Sequence, residues 1–170
     1  MRKLTVEDLN RIDVDTFKQA PKVPLVMVLD NIRSVHIVGS VLRTADAMRI
    51  EAVYMCGITA TPPSAEMHKT ALGAEDSVTW RYYNDTLQAV SELKAAGYVV
   101  LAVEQVEGSL KLGAFKFDPS KRYALVMGNE VKGVRHTLAL CLWFCNGCGV
   151  RGRCVLCLCA ACAKVARHAE

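Results

Sequence analysis

Four short apolar runs restrict this chain more than any other feature. They are Leu25-Val26-Met27-Val28-Leu29, Ala52-Val53-Tyr54-Met55-Cys56, Tyr98-Val99-Val100-Leu101-Ala102-Val103 and Tyr123-Ala124-Leu125-Val126-Met127. A run of strand length with no polar alternation has no face to offer water, so a strand built from it is covered on both sides. Between the runs the period changes. Val38, Val41, Leu42, Ala45 and Met48 recur at helical spacing, and Thr86 to Ala96 reads as a helix with Leu87, Val90 and Leu93 inward and Gly97 as its stop. Near the N-terminus, Thr5 followed by Asp8 reads as the cap of a helix carrying Leu9, Ile12 and Phe17. Buried strands alternating with helices predict an α/β fold: a mostly parallel sheet with helices on both faces and its ligands at the carboxyl ends of the strands. The polar loops at 30–37, 104–109 and 128–134 follow such ends.

Composition agrees with a globular chain, since 52% of the 170 residues are hydrophobic and 22% charged. The net charge of +4 invites a nucleic-acid reading until the chain is divided at Val134. Residues 1–134 hold 16 basic and 16 acidic residues, whereas 135–170 hold 5 and 1, so the excess belongs to the tail and charge alone does not argue for RNA. Cysteine divides in the same way. Cys56 stands alone in the body and reads as a small buried hydrophobe, while Cys141, Cys145, Cys148, Cys154, Cys157, Cys159 and Cys162 crowd the tail. The first eight residues lack the apolar core of a secretory signal, and the longest apolar run of the tail, Cys154 to Ala163, falls short of the ~20 residues that span a bilayer. A cytoplasmic protein with reduced thiols and no membrane segment is expected.

The segment Asp30-Asn31-Ile32-Arg33-Ser34-Val35-His36-Ile37-Val38-Gly39-Ser40-Val41-Leu42-Arg43-Thr44-Ala45-Asp46-Ala47 concentrates polar groups after the first apolar run. With Gly57-Ile58-Thr59-Ala60-Thr61-Pro62-Pro63, Lys69-Thr70-Ala71-Leu72-Gly73-Ala74-Glu75 and Ala124-Leu125-Val126-Met127-Gly128-Asn129-Glu130-Val131-Lys132-Gly133-Val134, it resembles the SpoU, or TrmH-type, RNA methyltransferases of the SPOUT superfamily. The resemblance covers residues 25–134, with the four segments in family order. It implies a Rossmann-like, SPOUT-like sheet with a C-terminal trefoil knot, a homodimer, and methyl transfer from S-adenosylmethionine to a ribose 2'-hydroxyl of tRNA or rRNA, with no metal and no DNA. It implies catalytic roles for Arg43, Asn129 and Glu130, and a cofactor site that includes Val103, Glu104, Met127 and Gly128. A sulfonium donor is already activated, so such an enzyme has mainly to align a poorly acidic hydroxyl with the methyl group. Guanidinium keeps its proton above pH ~12, so Arg43 suits phosphate binding or alkoxide stabilisation better than proton abstraction. Outside this context Arg43 would be a solvated helix charge, Gly128-Asn129-Glu130 an ordinary turn, and His36 a loop residue.

The chain departs from the family pattern at three places. Ile37 stands where an asparagine precedes the glycine of the first motif, and Arg49 where the helix exit usually has glycine. After Val134 the expected helix, strand and third motif rich in Ser, Leu, Asn and Val do not follow, which leaves the knot incomplete or aberrant. Residues 1–134 therefore read as the methyltransferase-like unit and 135–170 as an atypical Cys-rich tail. In that tail Cys145-x-x-Cys148 with Cys154-x-x-Cys157 or Cys159-x-x-Cys162 has the thiolate spacing of a zinc or iron–sulfur site. Gly147-Cys148-Gly149-Val150-Arg151-Gly152 matches a dinucleotide fingerprint in letters but lacks its strand and helix. Pattern, charge and cysteine usage all switch near residue 135, which favours a tail foreign to the family, as a reading-frame change would leave it. Two further functions stay open: a module of the same fold that binds RNA or dimerises without methylating, and a metal-binding protein built on the tail.

Overall fold

In the computed structural model, residues 2–3, 8, 12–104, 107, 110–111, 114–134 and 142–144 are described, the pairs and triplets at 110–111 and 142–144 by their backbone alone. The elements are α1 (Val14–Gln19), β1 (Val23–Asp30), α2 (Val35–Ala47), β2 (Ile50–Cys56), α3 (Ala65–Ala71), α4 (Ala74–Ser77), β3 (Trp80–Tyr83), α5 (Thr86–Ala95), β4 (Tyr98–Val103), β5 (Leu110–Lys111), β6 (Arg122–Gly128) and β7 (Leu142–Phe144). All strand pairs are parallel, in the order β3-β2-β1-β6-β4-β7-β5, and the four apolar runs are its four central long strands.

The side chains of these strands divide by the two-residue period of a strand. Leu25, Met27 and Leu29 of β1, Val53 and Met55 of β2, Leu101 of β4, and Tyr123, Leu125 and Met127 of β6 enter one core with Val38, Val41, Leu42 and Ala45 of α2 and Met67 of α3. Val26, Val28, Ala52, Tyr54, Cys56, Val100, Ala102, Ala124 and Val126 enter a second core with Ala89, Val90 and Leu93 of α5. Both faces are therefore filled, which is why the runs carry no polar alternation. Leu25, Leu29, Leu42, Leu101 and Leu125 are fully buried, and truncating such a leucine to alanine costs about 2–5 kcal/mol.

The chain order makes a switch point. From β1 it moves outward through β2 to β3; α5 then carries it across the sheet to β4, and β6 enters between β4 and β1. The connections thus diverge at the β1–β6 boundary, where open α/β sheets bind ligands at the carboxyl edge.

Several local expectations are corrected. The first described helix starts at Val14, capped by Asp13, whose carboxylate accepts from the Thr16 amide and hydroxyl; Thr5 and Leu9 lie outside the described residues, Ile12 is exposed, and Phe17 is buried as expected. In α5 the inward face is Thr86, Ala89, Val90 and Leu93, and Leu87, expected inside, is turned away and exposed, about 100° round the helix from Thr86. His36 belongs to the first turn of α2 rather than to a loop, and its ring meets Glu66 at 3.2 Å. Ile37 is half-buried against the core. Three residues of the cysteine-rich tail, Leu142–Phe144, add a short strand to β4; the tail cysteines and any knot lie outside the described residues. Among the described residues no helix is long and apolar enough to cross a membrane, and no group of three His, Cys, Asp or Glu residues is placed to hold a metal.

Candidate functional site

Strands β1, β6 and β4 end together, with Asp30 in register with Gly128 and Val103 with Met127. A parallel sheet places their outgoing loops on one edge. The loop after β1 enters α2 through Ser34, whose hydroxyl accepts from the Ile37 amide as an N-cap. At its start Asn31 adopts φ 56°, a conformation asparagine tolerates, and its amide oxygen accepts from the Ile58 amide. The buried Thr59 hydroxyl donates to the Leu29 carbonyl and accepts from the Ile32 amide. The loop 57–59 therefore braces the loop 31–34 from the β2 side. Asp30, also buried, accepts from the Thr86 hydroxyl at 2.6 Å and so joins the end of β1 to the start of α5.

The loop after β6 closes on the same place. Asn129 is buried; its Nδ2 donates to the Asn31 carbonyl at 2.8 Å, while Oδ1 accepts from the amides of Val131 and Lys132. Its own carbonyl accepts from the Gly133 amide. Glu130 reaches back to the entry of α2, accepting from the amides of Arg33 at 3.1 Å and Ser34 at 3.0 Å, where a carboxylate also gains from the positive end of the helix. On the other flank Glu104, just past β4, accepts from the Val134 amide at 2.8 Å. Gly133, at φ 77°, passes so close to that carboxylate that a β-carbon would collide with it. One loop is thus held to β1 by Asn129 and Glu130 and to β4 by Glu104.

Five of the seven residues expected at the site meet here. Met127 and Gly128 are buried at the end of β6, Val103 and Glu104 are half-buried at the end of β4, and Asn129 continues the edge. Glu130, the sixth, bridges from this edge to α2. Arg43 stands apart from them on the single chain. Eight residues after Val35, at ~1.5 Å per residue, it lies ~12 Å further along α2. There it lines an open groove of about 450 Å³ with Ser40, Thr44, Ala47, Met48, Lys69 and Thr70. Sequence reasoning passed over Thr59, Ser34 and Lys69. Thr59 and Lys69 stand in the segments that carried the resemblance; Ser34 carries a second signal, a capping residue immediately before a helical period.

Fold and site together define an α/β protein whose polar loops converge at the switch point of a parallel sheet. The sequence model of the SpoU rRNA Methylase family matches residues 24–143, and the chain belongs to that family. It is 31% identical over 121 residues to the 23S rRNA (guanosine-2'-O-)-methyltransferase RlmB of Neisseria meningitidis serogroup B, an alignment covering 71% of this chain and 47% of the relative. The chain thus spans about half the length of the curated relatives it matches. Its fold is shared with the TrmH/SpoU tRNA modifying enzyme of A. aeolicus, at TM-score 0.75 and 19% identity over 91% of this chain and 81% of that one. It is shared equally with the AdoMet-bound rRNA methyltransferase of Sinorhizobium meliloti, at TM-score 0.74 and 24% identity over 91% and 60%.

Proposed function

We propose that this chain transfers a methyl group from S-adenosylmethionine to a ribose 2'-hydroxyl of tRNA or rRNA. The observation that carries this reading is the convergence of the loops after β1 and β6 at the sheet's switch point, in a chain of the SpoU family. The residues there suit the cofactor. Val103, half-buried, and Met127 stand at neighbouring strand ends beside the Glu104 and Glu130 carboxylates, whose charge suits a sulfonium cation, and Gly128 lacks a side chain where the Gly133–Val134 main chain packs against the end of β6. The cofactor supplies an already activated methyl group, which leaves alignment as the task of the protein. Asn129 and Glu130 are read here as positioning residues, because their polar atoms fix the shape of the loop at that switch point. Arg43 is read as an RNA phosphate ligand, since a permanently charged guanidinium binds anions and does not take protons.

The reading includes a homodimer and a cytoplasmic setting. It also takes residues 1–134 as the family's unit and the cysteine-rich 135–170 as foreign to it; an intact alternative frame in the coding region that encodes the third motif is the expected result of resequencing. Ile37 favours a second reading, a fold that binds RNA or dimerises without methylating, because an apolar side chain packed on the core replaces a hydrogen-bonding one. Titration calorimetry with S-adenosylmethionine separates the two. Binding, followed by methylation of fractionated tRNA or rRNA, is expected; no heat at millimolar cofactor would leave the second.

A further inference from the structure

The groove between α2 and α3 is chemically one-sided. Arg43 stands on one helix and Lys69 on the other, both exposed, and neither makes an ion pair among the described residues. No carboxylate lines the groove. The nearby acids are engaged elsewhere: Asp46 accepts from the Ser77 hydroxyl, Glu66 pairs with His36, and Glu75 with His68. Residues 1–134 carry equal numbers of acids and bases, so two uncompensated cations facing one cleft are a matter of placement and not of composition.

The hydroxyls of the groove narrow the ligand further. Ser40 donates to the His36 carbonyl at 2.9 Å, Thr44 to the Ser40 carbonyl at 3.0 Å and Thr70 to the Met67 carbonyl at 3.1 Å. With their protons committed to the main chain these oxygens act as acceptors, and of the three Ser40 and Thr70 are half-exposed whereas Thr44 is buried. The groove therefore offers cationic donors for an anion beside neutral acceptors for a hydroxyl, with Ala47 and Met48 as apolar lining. A sugar–phosphate strand that carries a 2'-hydroxyl presents that complement, and a deoxyribose strand lacks the hydroxyl.

We propose that this groove binds the RNA backbone, with Arg43 and Lys69 holding one phosphate between α2 and α3 and the hydroxyl oxygens of Ser40 and Thr70 receiving a neighbouring 2'-hydroxyl. The inference rests on the methyltransferase reading for its ligand class and adds Lys69 as a substrate-binding residue. Gly39 makes the arrangement possible. A β-carbon there would meet the Thr70 side chain and lie 2.7 Å from the Met67 carbonyl, so its absence lets α3 approach close enough for Lys69 to share a cleft with Arg43.

The test uses the full chain and a fluorescein-labelled oligouridine RNA, with the oligodeoxyuridine of equal length beside it, titrated at several salt concentrations. Lys69→Ala is expected to weaken RNA binding about 3- to 10-fold and to reduce the slope of log affinity against log salt by about 0.7, the share of one single-stranded phosphate contact. Lys69→Arg should restore both, and Lys94→Ala, on an exposed position of α5, should change neither. The wild type is expected to prefer the ribose oligomer, and thermal melting should be the same for all variants. An unchanged slope in Lys69→Ala, an equal loss in Lys94→Ala, or no RNA binding by the wild type overturns the proposal. Cofactor calorimetry on the same preparations judges the methyltransferase reading separately: cofactor binding with a Lys69-independent RNA slope defeats the groove alone, and a Lys69-dependent slope without cofactor binding defeats the enzyme alone.

Discussion

The carboxylate of Glu130 accepts the main-chain amide of Ser34 at 3.0 Å across 96 residues of sequence, and this bond ties the second motif to the first turn of α2. A charge-assisted bond to amides at a helix entry contributes more than a neutral one, and here it also sets the distance between two loops. Glu130→Ala is expected to lower stability by about 1–2 kcal/mol and to speed amide exchange at Arg33 and Ser34, while Glu130→Gln, which retains an acceptor oxygen, recovers at least half of the loss. Thermal melting with hydrogen exchange at those two amides reads it. Unchanged exchange in the alanine variant would mean that the bond does not hold the loops together.

Close helix packing gives a second expectation. Gly39 in the middle of α2 costs helix propensity, about 1 kcal/mol relative to alanine, so on local grounds Gly39→Ala should stabilise. The packing decides the opposite sign, because the added carbon meets the Thr70 side chain and lies 2.7 Å from the Met67 carbonyl, a backbone atom that cannot rotate away. A net loss of about 1–3 kcal/mol is expected, partly relieved in Gly39→Ala with Thr70→Ala. A rise in melting temperature for the single variant would contradict the close approach of α2 and α3.

These relationships mark what the sequence discloses. β1, β2, β4 and β6 are legible because burial on both faces forces continuous apolar runs, and α2 because its inward stripe keeps a 3.6-residue period. Arg49 was also foreseeable: the helix exit there has φ 50°, the conformation that the family's glycine serves. The edge strand β3 escaped notice, since Trp80-Arg81-Tyr82-Tyr83 is short and half exposed. Leu87 is exposed although hydrophobic, because small Thr86 and Ala89 fill the inward positions beside Val90 and Leu93, and hydrophobicity alone does not fix which side of a helix faces in. At the site, the residue types at the strand ends could be read, but not the bond from Glu104 to Val134, which exists only because β6 inserts beside β4. Nor could sequence spacing show that Arg43 faces Lys69 across a groove, because that depends on the angle at which α3 packs on α2.

The edge strand yields an alkaline signature. The Tyr83 phenol donates to Glu92 at 2.8 Å, and burial first, then that carboxylate, pushes its pKa from the usual 10.0 up to about 12. The unfolded chain gives up this proton near pH 10 and the folded chain only near 12. The contribution to stability is therefore complete below pH 10 and is lost as the pH rises from 10 to 12. Tyr83→Phe should be less stable than the wild type at about pH 8, by about 1 kcal/mol for the missing bond, and the two melting curves should converge as the pH climbs through that window. Curves that stay parallel would show that Tyr83 titrates alike in both states.

Arg43 tests how the reaction is divided between the two halves of the site. The strand-end residues proposed to hold the cofactor lie at the termini of β4 and β6, and Arg43 lies ~12 Å along α2 from its first turn, beside Lys69. On the proposed reading its partner is the RNA, and removing the guanidinium should leave the proposed cofactor site intact. Arg43→Ala is expected to retain S-adenosylmethionine affinity within about twofold by calorimetry while lowering methylation of fractionated tRNA or rRNA at least 100-fold, the order that loss of substrate alignment produces. Arg43→Lys should recover RNA affinity before it recovers rate, because an ammonium supplies the charge without the planar pair of donors that fixes a phosphate in orientation. If Arg43→Ala abolishes cofactor binding instead, the guanidinium acts at the proposed cofactor site and the separation of the two halves is wrong.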